Sequence, residues 1–212
     1  MKIALIGASG FIGSALLDEA LARGHQVTAL VTRPERLPTR DGLVVKQSDA
    51  LDTATLAEQL SGADVVLSAF SGHAQEDVYD YYVKGFDSIL AATQSADVPR
   101  LLVVGGAATL EVAPGQLLLN SAGFPDEYRA TAEGAKTALE RLRNQQAQQW
   151  TMLSPAAEIF PGERTGQFRL SGDLLLSDAE GNSRISVQDY AVAMLDELET
   201  PNHTNQRFSV AY

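Results

Sequence analysis

The chain has 212 residues, of which 45% are hydrophobic and 20% are charged; 16 basic side chains stand against 27 acidic ones, a net charge of −11 at pH 7. This length predicts one large domain with a sizeable core. The acidic balance argues against binding to nucleic acid or to an anionic membrane surface. Because the chain has no cysteine, a disulfide framework, a thiolate nucleophile and a zinc–thiolate site are all excluded.

Histidines and apolar runs place further limits on the function. His25, His73 and His203 are too scattered for metal-ligand spacing, so no metal site is predicted. No apolar run is long enough to span a membrane, and the first one leads into glycines, which is unlike a secretory signal. We therefore expect a cytoplasmic protein, monomeric or homodimeric, whose partner is a small molecule rather than nucleic acid or membrane.

Residues 1–33 predict a strand, a glycine-rich turn, a helix and a second strand. The apolar run 3–6 leads into the turn, an amphipathic segment occupies residues 14–23, and a second apolar run covers 27–31. The turn between them reads Gly7-Ala8-Ser9-Gly10-Phe11-Ile12-Gly13. This order is typical of the βαβ unit that binds a dinucleotide. A glycine turn with a purely structural role is the alternative.

Each glycine of the turn has a physical reason in a dinucleotide site. Gly7 permits a tight turn with positive φ, Gly10 permits close approach of a phosphate, and Gly13 lets the helix lie against the sheet. The free N–H groups of the first helical turn and the helix dipole then hold the phosphates. The predicted phosphate-binding residues are Gly7, Ser9, Gly10, Phe11, Ile12 and Gly13.

The end of the second strand indicates which dinucleotide binds. A site for NAD usually carries Asp or Glu there, on the ribose 2′-hydroxyl. Here Arg33 occupies that place, and a guanidinium suits a 2′-phosphate through paired hydrogen bonds. Arg36 adds charge and Thr32 adds a hydroxyl. We therefore predict that NADP(H) is favoured over NAD(H); the alternative is that both arginines are solvated loop residues.

Strands and helices alternate through most of the remaining chain. The further predicted strands are residues 43–47, 63–69, 101–104 and 150–153. The further predicted helices are residues 52–60, 77–95 and 126–146, with an irregular segment at 107–124. This alternation predicts an α/β fold with a Rossmann-type, doubly wound parallel sheet.

The alternation ends at Pro155. Short strands are expected at residues 168–170 and 174–176, and a final edge strand at 208–211. Ser186 and Asp189 have the spacing of a capping pattern that opens one more helix. We expect residues 1–212 to form a single NAD(P)-binding domain, in which segment 155–186 is a small C-terminal region that covers the substrate.

These features together resemble the atypical short-chain dehydrogenase/reductases. The residues that carry the resemblance are the glycine motif, Arg33, Asp49, Ala69-Phe70, Gly105-Gly106 and the later runs 153–156 and 161–166. The resemblance covers essentially the whole chain. The subgroup it points to contains NmrA-like proteins, NADH-flavin reductases and biliverdin reductase B.

The family resemblance assigns further cofactor residues. It implies that Asp49, with Ala50 beside it, contacts the adenine, and that Ala69, Phe70 and Gly105 line the cofactor. For Asp49, capping of the next segment is the alternative.

The chain departs from the family at the catalytic pair of its ketone reductases. In that pair, Lys follows Tyr by four residues on one helix, and Tyr donates the proton to the new alkoxide. No tyrosine here has Lys at that spacing. Lys136 follows Tyr128 by eight residues, which is about 12 Å along a helix. The fifth strand ends in glycines, and Thr109 is the nearest hydroxyl.

This departure favours an acceptor that needs no proton from the protein. A flavin or quinone requires mainly a hydride held close and aligned, since water can supply the proton. We therefore predict hydride transfer from NADPH to a flavin, quinone or similar planar acceptor, with FMN and riboflavin as candidate substrates. Tyr128 and Thr109 are candidates for orienting the acceptor, although Tyr128 also suits an exposed helix start.

Two other functions remain open at this point. A non-catalytic, NADP(H)-binding redox sensor that resembles the NmrA-like regulators would equally lack the Tyr–Lys pair. A nucleotide-sugar epimerase or dehydratase shares the glycine spacing, but the short chain and the missing pair weaken it.

Overall fold

The computed structural model describes residues 1–72 and 76–212. Its strands are β1 (Lys2–Ile6), β2 (Gln26–Val31), β3 (Leu43–Gln47), β4 (Val65–Ser68), β5 (Arg100–Val104), β6 (Glu111–Ala113), β7 (Gln116–Leu117), β8 (Gln149–Ser154), β9 (Glu158–Phe160), β10 (Arg169–Ser171), β11 (Arg184–Ser186) and β12 (Gln206–Ala211). Its α-helices are α1 (Phe11–Ala22), α2 (Thr53–Leu60), α3 (Val78–Ser95), α4 (Arg129–Asn144) and α5 (Val187–Glu199). His73, one of the histidines considered above, lies outside the described residues.

An eight-stranded sheet organises the fold. Its strand order is β10-β12-β8-β5-β4-β1-β2-β3, and every neighbouring pair is parallel except β10 with β12. The order reverses between β1 and β4, which is the switch point where open α/β sheets bind ligands beyond their strand ends. The predicted Rossmann-type parallel sheet is therefore confirmed.

Helices cover both faces of this sheet. In β1, Ile3 and Leu5 point to one hydrophobic cluster, whereas Ala4 and Ile6 point to the other, as the period of a strand requires. Helices α1 and α5 cover the first face, and α2, α3 and α4 cover the second. Within the described residues, no helix is both long enough and apolar enough to cross a membrane.

Side-chain caps begin three of the helices. Asp52, Asp77 and Ser186 each accept a hydrogen bond from a backbone N–H three residues later, at the starts of α2, α3 and α5. Each cap satisfies one of the free donors of a helix N-terminus. The sequence pattern at Ser186 and Asp189 predicted the last of these, and the structure confirms it.

Several predicted boundaries differ from the structure. The helix expected at 126–146 consists of a 3₁₀ turn, Asp126–Tyr128, followed by α4. The segment expected to be irregular, 107–124, contains the short antiparallel hairpin of β6 and β7. Strand β12 is not at the sheet edge, because β10 pairs with its outer side. Residues 174–176 form only an isolated bridge, from Leu174 to Glu111.

Segment 155–186 is fastened to helices α1 and α5. The Arg164 guanidinium donates to both carboxylate oxygens of Glu19, at 2.8 Å each. The backbone N–H groups of Thr165 and Gly166 donate to Asp189 Oδ1, also at 2.8 Å each. The Tyr212 hydroxyl completes the set by donating to Asp189 Oδ2 at 2.8 Å. These contacts hold the segment against the helical layer on one face of the sheet.

Candidate cofactor and acceptor site

The glycine turn after β1 packs too closely for side chains at two of its positions. Gly7 has φ +80°, and a Cβ there would lie 2.6 Å from the carbonyl oxygen of Ala69. At Gly13 a Cβ would lie 2.0 Å from the carbonyl oxygen of Gly7. Gly10 is different, because its Cβ would meet only the Gly7 carbonyl oxygen, at 3.3 Å. Gly7 and Gly13 therefore allow the turn to fold, whereas Gly10 keeps the space above the turn open.

The start of α1 presents free hydrogen-bond donors. Gly10 is the N-cap, and the helix has no side-chain cap, unlike α2, α3 and α5. The first N–H groups of a helix have no partner within the helix, and the dipole makes this end positive. An uncapped N-terminus below an open glycine is the arrangement that binds a phosphate group.

A cavity of about 300 Å³ lies over this turn and carries positive charge. We call it the basic cavity, because Arg33 and Arg36 are part of its lining. It is lined by Ile6, Gly7, Ser9, Gly10, Leu30, Val31, Thr32, Arg33, Arg36, Ser48, Ala50, Ala69, Phe70, Ser71 and Tyr81. Arg33 and Arg36 are both exposed, and within residues 1–72 and 76–212 neither forms an ion pair. Their charges are therefore free for an anionic ligand.

A neighbouring cavity of about 470 Å³ extends the basic cavity past the end of β3. The two cavities share Thr32, Ser48 and Tyr81. Asp49 lines the extension, and its carboxylate accepts the backbone N–H of Leu51 at 2.9 Å. The structure thus shows Asp49 in a local turn beside this cavity, whereas Asp52 is the residue that caps the next helix, α2.

An aromatic cluster formed by Phe70 and the first turns of α3 lies beside the basic cavity. The ring of Phe70 lies on Gly85, where a Cβ would come within 2.3 Å of a ring carbon. Phe70 also packs against Tyr81 and Tyr82, with ring centroids 5.5 Å and 5.9 Å apart. Phe70 was predicted from sequence, but the two tyrosines were missed. Only their side-by-side position on a helix that follows β4 could have indicated them.

Apart from the basic cavity and its extension, a further cavity of about 280 Å³ lies beside the glycine turn. Its lining is mostly apolar, so we call it the apolar cavity. It is lined by Gly10, Phe11, Ile12, Gly13, Ala69, Phe70, Ser71, Gly72, Val78, Tyr82, Val104, Gly105, Gly106, Thr131, Ala135 and Ile159. Because it shares Gly10, Ala69, Phe70 and Ser71 with the basic cavity, the two adjoin along the carboxyl edge of the sheet.

Among the described residues that line the apolar cavity there is one tyrosine, Tyr82, and its phenol is a weak acid. Tyr82 is buried beside Phe70 and Phe86, and burial raises the pKa of its hydroxyl to about 12. A neighbouring ammonium group would lower that pKa, but none of the described residues lining this cavity is a lysine. The Tyr82 hydroxyl therefore stays protonated at neutral pH.

Neither hydroxyl proposed from sequence as an acceptor-orienting group lines these cavities. Thr109 is 3% exposed; its Oγ1 donates to the Gly106 carbonyl at 3.2 Å and accepts from Arg207 at 3.1 Å. This arrangement corrects the expectation for Thr109, because its hydroxyl links two parts of the fold. Tyr128 is 55% exposed, in the turn before α4, and it lies outside the lining of both cavities.

The structure brings the other predicted site residues together. Around the basic cavity it places Gly7, Ser9, Gly10, Thr32, Arg33, Arg36, Ala50, Ala69 and Phe70. Phe11, Ile12, Gly13 and Gly105 line the apolar cavity. Sequence reasoning placed Ser71 at the ligand-binding edge of the sheet, but it missed Ser48, Tyr81, Tyr82 and Thr131. Segment 155–186 contributes Ile159 to the apolar cavity, whereas its residues 164–166 contact α1 and α5.

Known proteins share both the sequence and the fold. The NAD(P)H-binding family matches residues 7–198. Protein YwnB of Bacillus subtilis is 38% identical over 213 aligned positions, which cover 99% of this chain and 98% of YwnB. A solved structure from Bacteroides thetaiotaomicron, provisionally named an epimerase, is 44% identical; it has a TM-score of 0.92 and covers 100% of this chain and 96% of that one.

A solved structure with a more informative name is also similar. SP1627 of Streptococcus pneumoniae, provisionally named an NADH-flavin reductase, is 32% identical, with a TM-score of 0.88 over 100% of this chain and 99% of that one. The uncapped N-terminus of α1, the glycine turn and the basic cavity are the features that a dinucleotide site requires, and they agree with these matches. The chain therefore belongs to the NAD(P)H-binding family of atypical short-chain dehydrogenase/reductases, a family of oxidoreductases, and its domain binds NAD(P)(H).

Proposed function

We propose that the protein is an NADPH-dependent reductase that transfers hydride to a flavin, a quinone or a similar planar acceptor. The observation that carries the proposal is the apolar cavity beside the start of α1. Its phenol is buried and weakly acidic, and no lysine is among the described residues that line it. Such a cavity suits an acceptor that takes its proton from water.

The residues of the basic cavity fit a phosphorylated dinucleotide. The N–H groups at the start of α1 face the open space above Gly10 and would hold the pyrophosphate. Arg33 and Arg36, with no carboxylate partner in the described chain, would hold the 2′-phosphate of NADPH through charge-assisted hydrogen bonds. An acidic chain with net charge −11 needs such local cations to attract an anion.

The residues of the apolar cavity would position the reacting rings. When bound, the nicotinamide ring supplies a hydride. Gly105 and Gly106 offer a flat wall at the end of β5, and Phe70 and Ile159 add apolar surface to the same space. Holding an acceptor close and aligned accounts for much of the rate of such transfers.

The name given to SP1627 supports a flavin or similar ring as the hydride acceptor. That protein is provisionally named an NADH-flavin reductase, and this chain is 32% identical to it over their full lengths. A planar acceptor also accounts for the missing Tyr–Lys pair, since a delocalised ring system needs no activated proton donor at one oxygen atom.

The test is oxidation of reduced nicotinamide by the purified protein with riboflavin, FMN, menadione and a panel of small aldehydes. NADPH and NADH are compared in parallel, and the Gly10→Val variant measures the background rate. We expect turnover with flavins or quinones, faster with NADPH, and none with aldehydes. Turnover with aldehydes alone would overturn the proposal. Tight NADPH binding without turnover on any acceptor would instead indicate a redox sensor.

A further inference from the structure

Positive charge is divided unequally between the two cavities. Arg33 and Arg36 line the basic cavity, where the phosphates of a dinucleotide would lie. The described residues that line the apolar cavity include no charged side chain. We propose that the acceptor ring is uncharged, so that the protein reduces neutral quinones and flavin rings and rejects planar acceptors with an anionic group on the ring. This inference rests on the reductase function proposed above.

The walls of the apolar cavity are built from apolar side chains, most of them half-buried. Val78, Val104, Ala135 and Ile159 come from four different elements and meet around this space. Residues 73–75, which follow Gly72 in the chain, read His-Ala-Gln and thus contain no lysine or arginine. A neutral ring gains free energy by burying its surface here.

Two basic side chains close to residues of the apolar cavity, Lys136 and Arg184, already have acidic partners. Lys136 follows Ala135, and its Nζ lies 3.9 Å from Glu133. Arg184, on the strand that pairs with β9, forms a 2.8 Å ion pair with Glu158, the residue before Ile159. Charges that are already paired offer little to an incoming anion.

With the pyrophosphate on the N-terminus of α1, an anionic ring would therefore lose hydration without gaining a charged partner among the described residues that line this cavity. Burial of an unpaired charge is strongly unfavourable, because the protein interior cannot replace the water around it. The net charge of −11 adds repulsion over a longer range. A phosphate on a flexible tail, as in FMN, can remain in solvent, so a charge fixed to the ring is the sharper probe.

The probes are naphthoquinone and naphthoquinone sulfonate. They share the ring system and differ by one anionic group, and the sulfonate, being electron-withdrawing, makes its ring the stronger hydride acceptor. We expect kcat/KM with NADPH to be at least about tenfold higher for the neutral quinone. This order is the reverse of the one that the intrinsic reactivity of the two rings alone would give. Both quinones are assayed at about pH 8, where an ordinary histidine side chain is neutral and adds no positive charge.

A binding measurement gives the same comparison without turnover. Calorimetry of each quinone against the complex of the protein with NADP⁺ is expected to show tighter binding of the neutral quinone. Equal or tighter binding of the sulfonate overturns the inference. The inference is also overturned if neither quinone binds. Selective binding of the neutral quinone without hydride transfer would support the charge preference of the apolar cavity but overturn the proposed reductase activity.

Ile159→Lys tests whether cavity charge sets the preference. The ammonium group would stand at the wall of the apolar cavity, so we expect the ratio of neutral to sulfonated quinone to fall toward one. Ile159→Gln has a similar size without the charge and is expected to keep the ratio of the unmodified protein. An unchanged ratio in a folded Ile159→Lys protein would contradict the inference, as would the same fall in Ile159→Gln.

Discussion

At the residue scale, the glycines of the first turn have separable roles. A side chain at Gly13 would meet backbone at 2.0 Å, so this glycine is required for α1 to pack on the sheet. At Gly10 the same addition meets one carbonyl oxygen at 3.3 Å, which a small shift relieves. Substitution at Gly10 can therefore block a ligand while the turn still folds.

Gly10→Val is expected to abolish binding of both NADPH and NADH, because the valine side chain occupies the space where a phosphate approaches the helix N-terminus. The melting temperature should stay near that of the unmodified protein. Gly13→Val is the contrast, and we expect it to unfold or strongly destabilise the domain. Calorimetric binding and thermal melts measure both effects; retained affinity in Gly10→Val would refute the assigned position of the pyrophosphate.

Arg33 is the residue we expect to distinguish the two dinucleotides. Arg33→Ala should weaken NADPH binding by about 10-fold to 100-fold, the usual value of hydrogen bonds to a charged group, and leave NADH binding nearly unchanged. Dissociation constants for both cofactors provide the test. Arg129→Ala, an exposed arginine paired with Asp126 in the turn before α4, is the matched control. An equal loss for both cofactors would remove Arg33 as the 2′-phosphate contact.

At the scale of elements, α3 does more than cover the sheet. Its first turns carry Tyr81 and Tyr82, and Gly85 on the next turn receives the ring of Phe70. Tyr81 is half-buried and borders both the basic cavity and its extension toward β3. Burial, together with the nearby negative charge of Asp49, raises the pKa of Tyr81, so its ring is neutral at physiological pH.

We expect the Tyr81 ring to stack against the adenine. Tyr81→Ala should weaken NADPH and NADH alike, by about tenfold, because stacking of a base on an aromatic ring contributes about 1–3 kcal/mol and ignores the 2′-phosphate. Tyr81→Phe keeps the ring and should bind as the unmodified protein does. If the Phe variant lost as much affinity as the Ala variant, the hydroxyl rather than the ring would be the contact.

At the scale of the whole molecule, ionic contacts join the C-terminal third to the first helix. The hydrogen bond from Arg164 lowers the pKa of Glu19, with a further contribution from Arg23, and outweighs the opposing effect of burial. Burial raises the pKa of Asp189, but hydrogen bonds from Thr165, Gly166 and Tyr212 bring it below its usual value. Both carboxylates are therefore more acidic in the folded than in the unfolded chain.

The lowered pKa values of Glu19 and Asp189 predict how the stability of the fold depends on pH. A carboxylate with a lowered folded pKa stabilises the fold above its unfolded pKa, near 4.5 for Glu19 and 3.8 for Asp189, and the stabilisation is lost as pH falls through the folded value. We expect the free energy of unfolding to fall from about pH 5 to about pH 2. Denaturant titrations at several pH values measure it.

Glu19→Gln isolates one part of that dependence. The free energy of unfolding of the variant should be about 1–3 kcal/mol lower at neutral pH, because Arg23 and Arg164 lose a charged partner. This free energy should also decrease less steeply as the pH falls. Asp18→Asn, on the exposed side of the same helix, is the control. An equally steep decline in Glu19→Gln would show that Glu19 contributes nothing to the pH dependence.

The sequence by itself determined the parts of the site that depend on local chemistry. The turn from Gly7 to Gly13 needs glycine at its two crowded positions, and it leads into a helix start without a side-chain cap; both features can be read from seven consecutive residues. Arg33 was expected at the cofactor because it ends the second strand and the carboxyl ends of parallel strands meet at one edge, whereas Asp49, Ala69 and Gly105 were expected there from the family resemblance.

Only the tertiary structure decided which side chains from distant segments share the site. Ile159 reaches the apolar cavity through β9, and Arg207 binds the hydroxyl of Thr109 from nearly a hundred residues away. Tyr81 and Tyr82 differ by one position, yet one borders the basic cavity and the other the apolar cavity. Local patterns specify a strand, a helix or a cap, but the packing of helices on the sheet sets these neighbours. That packing depends on contacts across the whole chain, which no short sequence window contains.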